Sequence, residues 1–165
     1  MSNDGLIAGL GMVGLGLAAA APADAQLLAR KDLSLATALT IATTAAELCK
    51  SQGYNVSVAV VGRNGEVVVH LRGDNAPPHT VENSFRKAYS ARTYRVPSGE
   101  LAKRLKDNPT APFVYLSNVV AAQGALPIKV GDDVIGAVGV SGSPGGDKDE
   151  VCAKAGIDKV ADTLK

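Results

Sequence analysis

Tryptophan is missing altogether, aromatic residues make up 4% of the 165 positions, and there are only two cysteines and two histidines. The lack of aromatics leaves a core to be built from Val, Leu, Ile and Ala. It also removes the stacking platform that single-stranded nucleic acid requires. Charge of one sign is missing too. The formal net charge is +1. Without the first 25 residues, which hold Asp4 and Asp24 and no base, 17 basic residues face 14 acidic ones. That balance is too mild to predict a partner in DNA or an anionic membrane. Cys49 and Cys152 stand in no C-x-x-C or zinc-type spacing, so no metal cluster is expected. They are read as two buried free thiols on helices, with a disulfide as the alternative that an oxidising compartment permits. No G-x-S-x-G elbow, H-E-x-x-H pair or P-loop occurs, so no catalytic set emerges.

What is present begins with an uncharged run rich in Leu, Ala and Gly, Leu6 to Ala21, followed by Pro22 and Ala23-Asp24-Ala25. Small residues in an A-x-A pattern are what a signal peptidase needs. The run is short and Gly-rich for a membrane span. Residues 1–25 are therefore read as a signal peptide and 26–165 as one domain, periplasmic or secreted, with no membrane in its mature form. The apolar fraction, 46%, suffices for one core.

Apolar positions from Leu35 through Cys49 recur with helical spacing, which predicts a helix over Leu33 to Ser51, stopped by Gly53. Val56 to Val61 and Glu66 to Arg72 flank Gly62-Arg63-Asn64-Gly65, a hairpin signature. Gly73 to Pro78 reads as a loop, after which Thr80 caps a helix running to Tyr94. A second start at Ser98 gives a helix through Lys106. Phe113 to Val120 fits strand or helix equally. Leu126 to Val130 and Val134 to Val140 flank Gly131-Asp132-Asp133, a second hairpin in which the two aspartates are turn formers. Gly142 to Gly146 is a Gly-rich loop, and Asp147 caps a final helix towards Lys165. Hairpins without β-α-β crossovers imply an antiparallel sheet with helices packed on it, an α+β class.

Three segments carry a family pattern. Gly124-Ala125-Leu126-Pro127-Ile128, Asp133 to Gly142 and Asp147 to Ala153 resemble the C-terminal signature of the GlcG/HbpS family, also described as DUF336. Val58 to Val61 through Gly65 resembles its first hairpin. Gly73 to Pro78 with Lys87-Ala88-Tyr89-Ser90-Ala91 resembles its central loop and helix. The resemblance implies a profilin- or PAS-like fold, homo-oligomers, and haem binding in secreted members.

Haem requires an apolar slot, an axial ligand and cations near its propionates. His79, directly after Pro77-Pro78, is the candidate metal ligand; an ordinary solvated loop histidine is the alternative. Arg86 and Tyr89, and less directly Lys87, are placed within one or two turns of it. Arg86 or Lys87 could pair with propionates, and Tyr89 could ligate ferric iron. The plainer reading is a solvated basic helix face. His70 reads as a partly buried strand residue with a hydrogen-bonded ring. The expected function is an exported haem-binding protein for sensing, storage or transport. The alternatives are an enzyme acting on haem or another small molecule, and a cofactor-free interaction module. A homo-oligomer is also expected, through the alanine stripe of the first helix or the outer face of Val134 to Val140.

Overall fold

The computed structural model describes residues 27–165, so the expected signal peptide lies outside the described residues. The elements are α1 (Leu35–Ser51), β1 (Ser57–Val61), β2 (Val67–Arg72), α2 (His79–Tyr94), α3 (Ser98–Asp107), β3 (Ala125–Val130), β4 (Asp133–Ser141) and α4 (Gly146–Lys159). Short 3-10 turns cover Pro112–Tyr115 and Ala161–Thr163. The strands form one antiparallel sheet in the order β2-β1-β4-β3. Helices α1 and α4 cover one face and α2 the other, which is the α+β architecture expected. Pro127, which cannot donate to a ladder, sits on the edge strand β3, where its missing N–H does no harm. No helix among the described residues is long and apolar enough to cross a membrane.

Side-chain alternation divides the core. Val58, Val60, Ile128, Val138 and Val140 point to the α1/α4 face, where they bury against Ala38, Ile41, Ala42, Ala45 and Ala153. Ala59, Val61, Ala125 and Ala137 point to α2 and meet Ala88 and Ala91. Gly139 lies on this second face. A Cβ there would collide with the Ser84 carbonyl and stand 2.7 Å from the Ala88 nitrogen. The helix backbone therefore rests almost directly on the strand.

Several local expectations are corrected. Cys49 and Cys152 are a disulfide, not free thiols, with Cα atoms 5.7 Å apart. Each occupies the fully buried stripe of its helix, α1 or α4, and the two stripes face each other. Helix α1 starts at Leu35, because the Ser34 hydroxyl caps it by accepting the Thr37 N–H. Helix α2 starts at His79, not after Thr80. Pro77 and Pro78 already hold the φ that a first turn needs. Thr80 turns inward instead, donating to the Pro77 carbonyl and sharing a buried hydrogen bond with Ser57. Gly145, not Asp147, occupies the cap position of α4, which ends at Lys159. The ambiguous Phe113 to Val120 is neither strand nor α-helix; Pro112 opens a single 3-10 turn there. Finally, Ala38, Ala42 and Ala45 and the whole of β4 after Asp133 are buried within the chain. Of the expected alanine stripe, Ala36 is exposed and Ala46 half-buried, so the surface of α1 is covered only in part, while β4 after Asp133 is covered throughout.

Candidate functional site

The start of α2, the loop leaving β4 and the start of α4 converge on a cleft of about 380 Å³. His79 lies at its edge, exposed, and its ring has no hydrogen-bond partner among the described residues. Asn83, one turn further, donates to the Ser141 hydroxyl at 3.0 Å. Lys87, another turn on, reaches the interior. Its ammonium donates to Asp149 at 2.8 Å and to the Val140 carbonyl at 3.1 Å. Both partners are buried, with Lys87 4% and Asp149 2% exposed. The second carboxylate oxygen accepts the Ser143 N–H at 3.1 Å and the Ser143 hydroxyl. Two charges removed from water are tolerable only when each is matched and hydrogen-bonded in this way.

The buried pair explains how the loop Ser141–Gly145 is held. Asp149 ties Ser143 to α4, and Lys87 ties the end of β4 to α2. The cleft above is consequently lined mainly by fixed backbone, amides and hydroxyls, with Pro77, Ala122 and Pro144 as its apolar side chains.

The structure brings together only some of the residues expected in the site. His79 and Lys87 share the cleft. Lys87 is buried in an ion pair and does not belong to a solvated basic face. Arg86 lies outside the cleft lining, partly exposed, pairing with Glu82 at 3.2 Å and donating to the Val119 carbonyl at 3.0 Å. Tyr89 is ten residues past His79, nearly three turns and about 15 Å along the helix, further than the one or two turns expected. It lines a separate cleft with Arg63 and Arg92. His70 is exposed on the edge strand β2, but its Nε2 lies 3.1 Å from the Ser84 hydroxyl, so its ring is hydrogen-bonded as expected. The edge of the ring turned towards Ser84 of α2 is partly desolvated although the residue as a whole is exposed, and that lowers its pKa below the ordinary histidine value. Asp133, expected as a turn former, begins β4 and grips Arg63 with both oxygens at 2.9 and 2.7 Å; that hydrogen-bonded pairing lowers its pKa.

Asp149 and Ser143 were not among the expected site residues. A signal for Asp149 was present. It stands at the head of Asp149, Cys152, Ala153 and Gly156, the buried stripe of α4. A carboxylate on such a stripe calls for a buried cation, and Lys87 occupies the matching stripe of α2.

Residues 33–158 match the family described as "Haem degrading protein HbpS-like". The crystal structure of HbpS is similar over 84% of this chain and 97% of its own, with TM-score 0.77 and 37% identity. An uncharacterised 15.0 kDa protein of Citrobacter freundii, from the dhaT-dhaS intergenic region, is 31% identical over 114 residues, covering 66% of this chain and 80% of that protein. The structure of a PduOC–haem complex shares the fold, with TM-score 0.71 and 22% identity over 78% of this chain and 95% of that one. The match spans everything from the approach to α1 to the end of α4, the cleft and its buried ion pair included, and the chain belongs to the HbpS-like family.

Proposed function

We propose that the protein binds haem, with His79 at the rim of the cleft at the start of α2 as the iron ligand; the cleft itself is polar and about 380 Å³, does not supply the apolar slot, and leaves the porphyrin outside it. The observation that carries this is the exposed imidazole of His79, without a hydrogen-bond partner among the described residues, at the rim of a cleft in an HbpS-like chain. An imidazole free to present a nitrogen is the usual protein ligand for haem iron. The ammonium of Lys87 is already matched by Asp149, so it holds the loop rather than a propionate. Arg86, about two turns along α2 and partly exposed, is the cation we assign to a propionate, which would have to take the place of Glu82 on its guanidinium. Family membership and the haem complex formed by PduOC support the choice of ligand. The disulfide between α1 and α4 supports an exported protein, since such bonds persist in oxidising compartments.

A haemin titration followed at the Soret band tests the reading. A saturable, shifted band at micromolar protein is expected, and an unshifted, non-saturating spectrum overturns it. His79→Ala is expected to change the band position; an unchanged spectrum removes His79 from the site. Reductant under air then separates storage or transport from turnover. A stable band is expected, whereas loss of the band with release of a ring-opened product makes the protein an enzyme.

A further inference from the structure

A second cleft, of about 120 Å³, lies between the β1–β2 turn and the last turns of α2. Arg63, Asn64 and Gly65 line it from the turn, and Tyr89, Arg92 and Thr93 from the helix. The haem reading makes no use of it. Gly65 shapes this cleft in two ways. Its φ of +82° is one that L side chains rarely adopt. A Cβ there would also stand 2.7 Å from the Tyr89 ring, so only glycine lets the ring lie against the turn.

The charges in this cleft do not balance internally. Arg63 is engaged by Asp133 and also donates to the Lys31 carbonyl at 2.6 Å. Arg92 forms no ion pair among the described residues. The Nε atoms of both Arg63 and Arg92 are shielded from water, so direct contact with a ligand in the cleft falls to the terminal nitrogens of Arg92. Five charged groups act on one another here: Arg63, Arg92 and Arg95 against Asp133 and Glu66. Asp133 is held by Arg63, and Glu66 accepts the Asn64 N–H at 2.8 Å. Burial lowers the pKa of Arg92, and the like charges of Arg95 and Arg63 lower it further. A guanidinium in this setting lacks an anion.

We propose that this cleft, where Arg63 and Arg92 converge over the Asn64-Gly65 turn and the Tyr89 ring, binds a phosphate-sized oxyanion. Asp133 and the Lys31 carbonyl hold the terminal nitrogens of Arg63, so Arg92, which has no ion pair among the described residues, supplies the principal donors and Arg63 adds fixed positive charge beside it; a planar guanidinium suits a tetrahedral oxyanion. The volume admits one phosphoryl group and not a nucleotide. The ligand is thus either free phosphate or the phosphoryl end of a larger molecule that extends into solvent.

Titration of the full-length chain at low ionic strength with inorganic phosphate, and separately with glycerol phosphate, tests this. Arginine Nε–H resonances are followed by NMR. Saturable shifts at Arg63 and Arg92 are expected with phosphate, and not with chloride at matched ionic strength. Comparable shifts with glycerol phosphate identify a phosphomonoester as an acceptable source; shifts with inorganic phosphate alone restrict the site to the free ion. Arg92→Gln is expected to weaken binding at least tenfold, and Arg92→Lys to recover part of it. Equal shifts with chloride, or equal affinity in wild type and Arg92→Gln, overturn the proposal. The wild-type resonances decide between these outcomes even where a variant fails to fold.

Discussion

On one face of the sheet Val58, Val60, Ile128, Val138 and Val140 interlock with α1 and α4, and a disulfide joins those two helices. On the other face, the alternating positions of the same strands hold Ala59, Ala125, Ala137 and Gly139. The first face gains stability from large apolar side chains and a covalent bond. The second gives up volume, so that a helix backbone can approach closely and polar residues can enter: Thr80 and Ser84, and Lys87 with Asp149. The cleft opens at the margin of this polar face. A rigid apolar layer behind a small-residue layer is a way of mounting a polar site without losing the fold.

Perturbing each face separately breaks or sharpens this contrast. The largest effect is expected on the apolar face. Cys49→Ala with Cys152→Ala opens a crosslink spanning 103 residues and should cost about 4 kcal/mol in urea denaturation. The haem spectrum of the folded fraction should be unaltered; a perturbed spectrum would make the two layers interdependent. On the polar face, Asp149→Ala leaves a buried ammonium without its partner and should cost about 3 kcal/mol by the same measurement. Lys87→Met with Asp149→Leu should recover most of that stability but release the loop around Ser143, read as faster amide exchange there. Gly139→Ala comes next. The new Cβ meets backbone rather than a flexible side chain, so the helix must move, at about 2 kcal/mol in thermal unfolding.

The smallest effect is a pH dependence. His70 is packed against Ser84, and burial holds its folded pKa below the ordinary value of 6.5. The unfolded chain therefore binds more protons here, and stability rises with pH. The contribution is complete above 6.5 and declines as pH falls below it. Thermal unfolding of His70→Gln between pH 7.5 and 5 should show a shallower fall than wild type. Parallel curves would show that the ring is not held by α2.

How much of this was legible in the sequence follows the range of the interactions. Both hairpins were, since Asn64-Gly65 and Gly131 act within a few residues. Helix α1 was, through its regular apolar spacing. The partnership of Cys49 with Cys152 was not, because their spacing says nothing about which helix stripes face each other. Thr80 was misplaced because two prolines start the helix before any capping side chain is needed. The lining of the candidate cleft was half legible. His79 stood out as a histidine on a rigid loop. The Lys87–Asp149 pair was signalled only by the place of Asp149 on the apolar stripe of α4, which does not name its partner. Only burial of both stripes reveals it. Tyr89 and His79 share a helix, and proximity in the chain suggested one site where the helix length makes two.

The bond between Cys49 and Cys152 also sets an order of events in biogenesis. Helix α1 has its covalent partner on α4, and β1 likewise pairs with β4. An emerging chain therefore holds an unsatisfied thiol and an unpaired strand until β4 and α4 have been made. Contacts so distant in sequence form late and slowly. The bond can then close only once α4 has been made and an oxidant is at hand, and a chain cut short before α4 would have neither its lock nor a cover for the apolar face that α4 shields.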